Sequence, residues 1–543
     1  MPDYRAPGIY VEEVPSAIKP IAGVSTSTAA FIGVFDAANV MIPGDRIAAE
    51  EVGPGDGSKA EFDLKHPAIT APGSFTITVA GKPASGTLSS DDPPKRATVK
   101  LGETPPDKSS VIVNYIPLAP ATRGEPFSGE AIGTGDGKEK DFNLRNYPVD
   151  TDVQSFAIRV AGAAVSGSLS NDHVNKVAKV ALTQPPAANA AVTADYVTLK
   201  PLAPEGEVRL CTNFTEFTRA FGGFSADVKQ RRLAHAVYGF FNNGGTRCYV
   251  VREASETNVV TSALEKLVAI EEIAIVAAPG VTEAGVRSAI IQHCERATGD
   301  RFAILDGAEE AMGDRTLTVQ NLGPPSNSSY AAFYFPWLQV LDPVTKAIYP
   351  TGDGRIYVPP SGHIAGIYAR VDAERGVHKA PANEVVMGAL GLRYTVSKPQ
   401  QDGLNPAGVN CIRPLNGNIQ VWGARTVGGD SNADVKYVNV RRTLLFLRKS
   451  IEQGTQWVVF EPNSPALWQK ITRNITAFLT TVWRSGALFG TAAAEAFYVK
   501  CDAETNPPEL RDLGQLATEI GVAIVRPAEF VIFRISQFTA PGP

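Results

Sequence analysis

The sequence predicts an α/β (α+β) core with extended N- and C-terminal strand arms and, inserted into that core, a pair of tandem all-β, sandwich-like repeat domains. Three observations predict it. After Pro204, helical and strand patterns alternate along the chain. Between residues 53 and 204, one stretch of sequence occurs twice, about eighty residues apart. At each end lies a short extended apolar segment with too few apolar neighbours to fold alone.

Bulk properties set the frame. At 543 residues the chain is too long for one hydrophobic core. Its 44% hydrophobic and 20% charged content is that of a folded soluble protein. A formal net charge of −5 gives no global field to attract nucleic acid or an acidic membrane surface. No apolar run reaches membrane-spanning length. The opening MPDYRAPGIYVEEV lacks the basic and apolar regions of a secretory signal. Synthesis in the cytoplasm is expected, with release by lysis as the route outside. Cys211, Cys248, Cys294, Cys411 and Cys501 are widely scattered without a CxxC pair, and read as small buried residues rather than a disulfide framework or zinc site.

In chain order, residues 8–14 (GIYVEEV) are extended and bounded by Pro7 and Pro15. A strand so bracketed must pair with another sheet, its own or a second molecule's. VSTSTAAFIGVF (24–35) reads as a strand entering the core. GPGDGSKAEFDL (53–64) then matches GTGDGKEKDFNL (133–144), and FTITVAGKPASGTLS (75–89) matches FAIRVAGAAVSGSLS (156–170). Alternation at Phe75, Ile77, Val79 and at Val111, Val113, Tyr115 has the two-residue period of half-buried strands. The GPGDG and GTGDG pieces read as tight turns, since neither leads into a helix carrying Lys-Ser/Thr. Nor does a series of oxygen ligands for calcium follow Asp56 or Asp136.

Past Pro204, KQRRLAHAVYGFF (229–241) places Leu233, Ala236, Val237, Phe240 and Phe241 on one helical face. Strands are predicted at 247–253, 272–279 and 301–306, with helices around 258–270 and 283–297 between them. Ser464 and Pro465 read as the cap and first position of a helix whose stripe runs from Leu467 to Val482. AEFVIFRISQF (528–538) closes the chain as a strand.

No catalytic constellation emerges, so an enzyme is not expected and no cofactor or metal is called for. His293 and Cys294 are adjacent on a helix and point to different faces. His363 and His378 lack a third ligand at useful spacing. The aromatic group Tyr330, Phe333, Tyr334, Phe335 and Trp337 reads as core or interface packing. Arg5, Glu12 and Glu13 suit intersubunit ion pairs or solvation.

Six separated blocks, in order, resemble the contractile tail sheath family of phages, bacteriocins and injection systems. They are PGIYVEEV with VSTSTAAFIGV, VRLCTNFTEFTRAFGGF with LAHAVYGFFNNGGTRCYVVR, VPPSGHIAGIYARVDAERGVHKAPAN, NGNIQVWGARTV, RRTLLFLRKSIEQGTQWVVFEPNSPALWQKI and EAFYVKCDAETN. The departure is the repeat-bearing region, absent from compact members. Combined with the pattern, the resemblance implies an arm at 1–20, the first part of the core at 21–42, repeats at 43–124 and 125–204, and an α/β core at 205–400. A C-terminal domain at 401–515 would face the tube, and a strand arm would occupy 516–543.

The resemblance further implies a homo-oligomer of stacked hexameric rings around an inner tube, with baseplate and terminal cap proteins as partners, and neither nucleic acid nor direct membrane insertion. Contraction would come from the assembled arrangement, and no nucleotide-binding GxxxxGK[ST] is present. Gly8, Ile9, Tyr10 and Val11 at one end, and Phe530, Val531, Ile532, Phe533, Arg534 and Ile535 at the other, are the candidate intersubunit strands. Pro15–Pro20 and Asn506–Pro508 are candidate hinges. Arg441, Arg442, Arg448 and Lys449, seven apart on one helical face, are the candidate tube contact. An alternative is a surface-decorated binding protein whose repeats recognise glycans or a host surface.

Overall fold

The computed structural model describes residues 20–532, apart from 36–40, 44–46, 65–74, 91–96, 116–117, 151–155, 173–174, 176, 226, 311–316, 326 and 349–350. Its centre is a nine-stranded sheet. Across it run Val208–Cys211, Cys248–Glu253, Ala29–Val34, Ile275–Ala277, Phe302–Asp306, Ala331–Phe335, Val409–Leu415, Asn418–Val421 and Glu384–Val385. From Cys248–Glu253 to Val409–Leu415 every neighbouring pair is parallel, whereas both edges are antiparallel.

Parallel strands are stable when both faces are covered, and Ala29–Val34 shows how the sequence meets that demand. All six residues are buried. Ala29 and Phe31 enter one core with Phe217, Leu233, Val237, Phe240, Ile364 and Tyr368. Ala30, Ile32 and Val34 enter the other with Val259, Leu267, Ile290 and Leu305. The predicted helix at 229–241 is Val228–Asn242, with Leu233, Ala236, Val237 and Phe240 buried as expected. It lies against helix Ser361–Arg375 so closely that a Cβ on Gly362 would stand 2.2 Å from the Ala236 carbonyl oxygen.

From Met41 to Pro201 every helix or strand assigned among the described residues is a strand. They form two clusters. In one, Phe62 and Leu88 flank Val99, and Ile77 pairs with Val113. In the other, Phe142 and Leu169 flank Val180, and Ile158 pairs with Ala194. Each centres on buried apolar side chains at positions offset by 80 or 81 residues. The Asp56 and Asp136 carboxylates accept from backbone N–H groups two and three residues on, closing the turns read from GPGDG and GTGDG. Those same hydrogen bonds hold both carboxyls below their usual range.

The C-terminal part is a third body. Helices Val438–Gly454 and Pro465–Arg484 enclose a core with the antiparallel pair Phe497–Lys500 and Glu519–Val522. Leu467, Ile471, Ile475, Phe478, Leu479 and Val482 are all buried in it, as their spacing predicts.

At the end of strand Phe302–Asp306, the Asp306 carboxylate accepts from Gly280 N–H at 3.0 Å, Ser361 N–H at 2.8 Å and the Ser361 hydroxyl at 2.7 Å. It thereby ties the sheet to the start of the 361–375 helix. Burial raises this carboxyl to about 6 against the pull of those hydrogen bonds. Its folded value lies above the unfolded one, so the folded state holds the extra proton between about pH 4 and 6 and stability falls as pH rises through that window. Asp306→Asn is expected to flatten this slope, which amounts to about 3 kcal/mol for a two-unit shift. Urea unfolding of both proteins from pH 4 to 7 measures it.

Candidate functional site

The chain ends and the surfaces that hold them form the candidate site. Near the N-terminus, Ile21 is buried in the C-terminal core. Val24 N–H donates to the Ser450 hydroxyl at 3.1 Å, and the Thr26 hydroxyl donates to Asp372 at 2.6 Å. Residues 20–28 are therefore a strap along the 438–454 helix, and the strand read at 24–35 begins only at Ala29. Gly8, Ile9, Tyr10 and Val11 lie outside the described residues, as does the hinge at Pro15–Pro20 except for Pro20.

Of the four basic residues read as a tube contact, Arg442 and Lys449 are buried and Arg441 is half-buried at the seam between the 438–454 helix and the central domain, whereas Arg448 is exposed. Arg442 is 4% exposed and forks onto Asp372 at 2.9 and 2.6 Å. It also donates to the Thr26 carbonyl and stacks over the Tyr368 ring. Lys449 pairs with Asp300 and donates to the Glu271 carbonyl. Arg448 donates to the Gly299 carbonyl, while Arg441 reaches Ser329 and lies over Tyr330. Seven-residue spacing did place them on one face. Within the subunit, Arg442 and Lys449 are engaged by the chain's own carboxylates Asp372 and Asp300, which a charge count along the helix does not reveal.

The C-terminal end also differs from its expected outline. The arm expected from residue 516 begins later, because Glu519–Val522 pairs with Phe497–Lys500 of the same chain and packs Ile520 and Val522 on its core. Tyr498 lies directly opposite Gly521, its ring filling the place a Cβ would take, and its hydroxyl donates to Glu519 at 2.7 Å. Asn506, expected at a hinge, is 1% exposed and closes the intervening loop through paired hydrogen bonds with Ala517 at 2.9 and 2.7 Å.

Beyond this hairpin the chain crosses a cleft of about 760 Å³ and is caught at Glu529. Arg425 donates to both carboxylate oxygens, at 2.7 and 2.8 Å. Asn405 and the Tyr437 hydroxyl donate at 2.8 Å each. Burial would raise this carboxyl; the hydrogen bonds from Arg425, Asn405 and Tyr437 outweigh it and hold the group below its usual range. The next three residues, Phe530, Val531 and Ile532, are 70%, 67% and 79% exposed and in no strand. Three apolar side chains thus stand in water directly after a four-bond anchor. Phe533, Arg534 and Ile535 lie outside the described residues.

Beside strand Phe497–Lys500 runs an open groove of about 650 Å³, lined across from the strand by Gln469, Thr472, Arg473 and Thr476 of the 465–484 helix. Among the described residues no third strand pairs with this two-stranded sheet.

Elsewhere, the chain leaves the central sheet after Phe35 and rejoins it through Leu202–Glu207. Both ends meet at buried Arg252, whose guanidinium lies over the Phe35 ring and donates to the Ala203 carbonyl at 3.3 Å. The six parallel strands have the spatial order second, first, third, fourth, fifth, sixth in chain sequence. In such sheets a ligand crevice opens between the carboxyl ends of the first and third strands; here Phe35, which continues the first strand, and Ala203 are buried together in the adjoining core. His293 is bonded to Arg301, and burial lowers it to about 4. Among the described residues no cluster of His, Cys, Asp and Glu could hold a metal ion, and no helix is long and apolar enough to cross a membrane.

The described residues thus form an α/β body that carries a small two-stranded sheet and the Glu529 anchor. The chain belongs to the phage tail sheath family: residues 254–427 match the phage tail sheath protein central domain and 430–538 the phage tail sheath C-terminal domain. A prophage major tail sheath protein of Pseudomonas aeruginosa is 27% identical over 206 residues, 37% of this chain and 49% of that protein. The tail sheath protein of Burkholderia phage BcepMu is 26% identical over 38% of this chain and 42% of its own length. The chain thus spans about half the length, or less, of the curated relatives it matches.

Solved structures are matched more fully. The PVC sheath of an extracellular contractile injection system, in its contracted state, superposes with a TM-score of 0.53 at 28% identity, over 62% of this chain and 87% of that one. The contracted helical sheath of the anti-feeding prophage gives 0.52 at 30% identity, over 62% and 90%.

Glu529→Gln keeps the shape of the anchor but removes the charge facing Arg425. Because Glu529 is only half-buried, the expected loss of local stability is roughly 2 kcal/mol. Amide exchange of residues 526–532 should accelerate more than tenfold while the 465–484 helix is unchanged.

Proposed function

We propose that this chain is the repeating structural subunit of a contractile sheath, stacked as hexameric rings around an inner tube, which it drives through a target envelope on contracting. The observation that carries this reading is the two-stranded sheet with a groove at its open edge. A pair of strands is marginal alone, and an open edge is a template for another chain. An extended segment of a neighbour laid beside Phe497–Lys500 would complete it by main-chain pairing. At about 1 kcal/mol net per hydrogen bond, four to six bonds contribute about 4–6 kcal/mol per arm. That is weak singly and strong when repeated.

The N-terminal segment Gly8–Val11, followed by Glu12 and Glu13, suits the groove carrying Arg473. The segment from Phe530 to Ile535, with Val531, Phe533 and Ile535 on one face, suits the opposite edge. Arms of this kind keep subunits linked while rigid bodies slide past one another. The inner tube, a baseplate and a terminal cap are the partners of this reading; an enzymatic step and a cofactor are not part of it. Assembly takes place in the cytoplasm, and the finished particle leaves by lysis.

Residues 43–204 are read as an insertion of two tandem β domains that decorates the outer surface. Support comes from the internal repeat, from both ends meeting at Arg252, and from two solved sheaths aligned over about nine tenths of their length but only 62% of this chain.

Two deletions test the proposal. Without residues 1–15 the subunit should fold, with an unchanged circular dichroism spectrum, yet form no striated tubes in negative stain. Normal tubes would remove the basis for strand exchange. Without residues 44–203, tubes of the same axial repeat and a thinner wall are expected; loss of assembly would overturn the decoration assignment.

A further inference from the structure

Cys211 and Cys248 stand 37 residues apart in sequence, yet the antiparallel register sets them directly opposite one another. Opposed residues of an antiparallel pair point to the same face, with Cα atoms about 4.5–5.5 Å apart. That lies inside the 4.4–6.8 Å range a disulfide spans. Both side chains enter the same core cluster, at 1% and 0% exposure. Their thiols sense each other: burial raises Cys248 most, and Cys211 adds to it. Cys294, Cys411 and Cys501 have no cysteine opposite them in any paired strand.

The position is informative. Val208–Cys211 is the edge strand of the central sheet, paired on one side only. It is also the segment by which the chain returns from its long β excursion. An edge strand lifts locally at lower cost than an internal one, so these two thiols can be reached without opening the whole domain.

We propose that Cys211 and Cys248 are a redox pair, reduced in the thiol-rich cell interior and closed to a disulfide by a low-molecular-weight disulfide oxidant once the protein is outside. The chemistry is ordinary thiol exchange. One cysteine thiolate attacks the oxidant, forming a mixed disulfide and expelling one small thiolate. The second cysteine attacks the protein sulfur of that bond and expels the other. Two protein thiols are oxidised, one small disulfide is reduced to two thiols, and the two protons pass to them. Burial pushes the Cys211 thiol up to about 12, with Glu216 adding to the rise and Arg209 opposing it. The attacking thiolate is therefore scarce until the edge strand lifts, and closure is slow. Once made, the bond covalently fastens the edge strand to its neighbour.

The test uses the full chain incubated with oxidised glutathione, followed by intact mass and a non-reducing peptide map. The expected result is loss of two hydrogens, a cross-linked peptide joining Cys211 to Cys248, and amide exchange in 208–211 slowed more than tenfold. Cys294→Ser should leave the cross-link intact, whereas Cys211→Ser and Cys248→Ser should each abolish it. Glutathione carried singly on either cysteine without a cross-link, or both thiols left unmodified while the amides of 208–211 exchange freely, would overturn the proposal. Neither readout depends on sheath assembly.

Discussion

The placement of strand Ala29–Val34 in the middle of the central sheet is the constraint on which the rest depends. Its neighbours come from residues 248–253 and 275–277, so the sheet cannot close until the chain's beginning has been threaded between them. Everything nearby follows. Immediately before the strand, the strap at residues 20–28 runs along the 438–454 helix, where Ile21 and Val24 meet Gly454 and Ser450, and reaches Asp372 of the 361–375 helix through Thr26. Immediately after it, Phe35 emerges at the carboxyl end of the first parallel strand, and the long β excursion begins in the one place where a doubly wound sheet leaves room.

The seam between the central and C-terminal bodies is held by another kind of force. Ion pairs from Arg442 and Lys449 cross it, with Arg441 and Arg448 on neutral partners. Buried ion pairs contribute less net stability than apolar packing of the same size, but leaving one partner unpaired is expensive. A seam of this kind specifies one docking position and resists small slips.

How much of this was legible in the sequence depends on the range of the interaction. The 228–242 and 465–484 helices were readable because one buried face repeats every turn, and the paired β clusters because their sequence repeats. The spacing of Arg442 and Lys449 is legible along the helix, but their partners within the chain, Asp372 and Asp300, lie far off in sequence. The hairpin at 497–500 and 519–522 escaped notice. Each strand is only four residues long, and Tyr498 and Gly521 break the apolar alternation until they are seen as a cross-strand pair. The anchor at Glu529 needed Asn405, Arg425 and Tyr437 to converge from separate segments. The juxtaposition of Cys211 and Cys248 is a matter of register, which composition and spacing do not carry.

Arg252 has an implication for mechanics and design. Because Phe35 and Ala203 both reach one buried guanidinium, the points where the chain leaves and rejoins the central sheet lie side by side. Such a mount behaves as a socket. A foreign domain whose own termini lie side by side could be plugged in there without disturbing the sheet beneath.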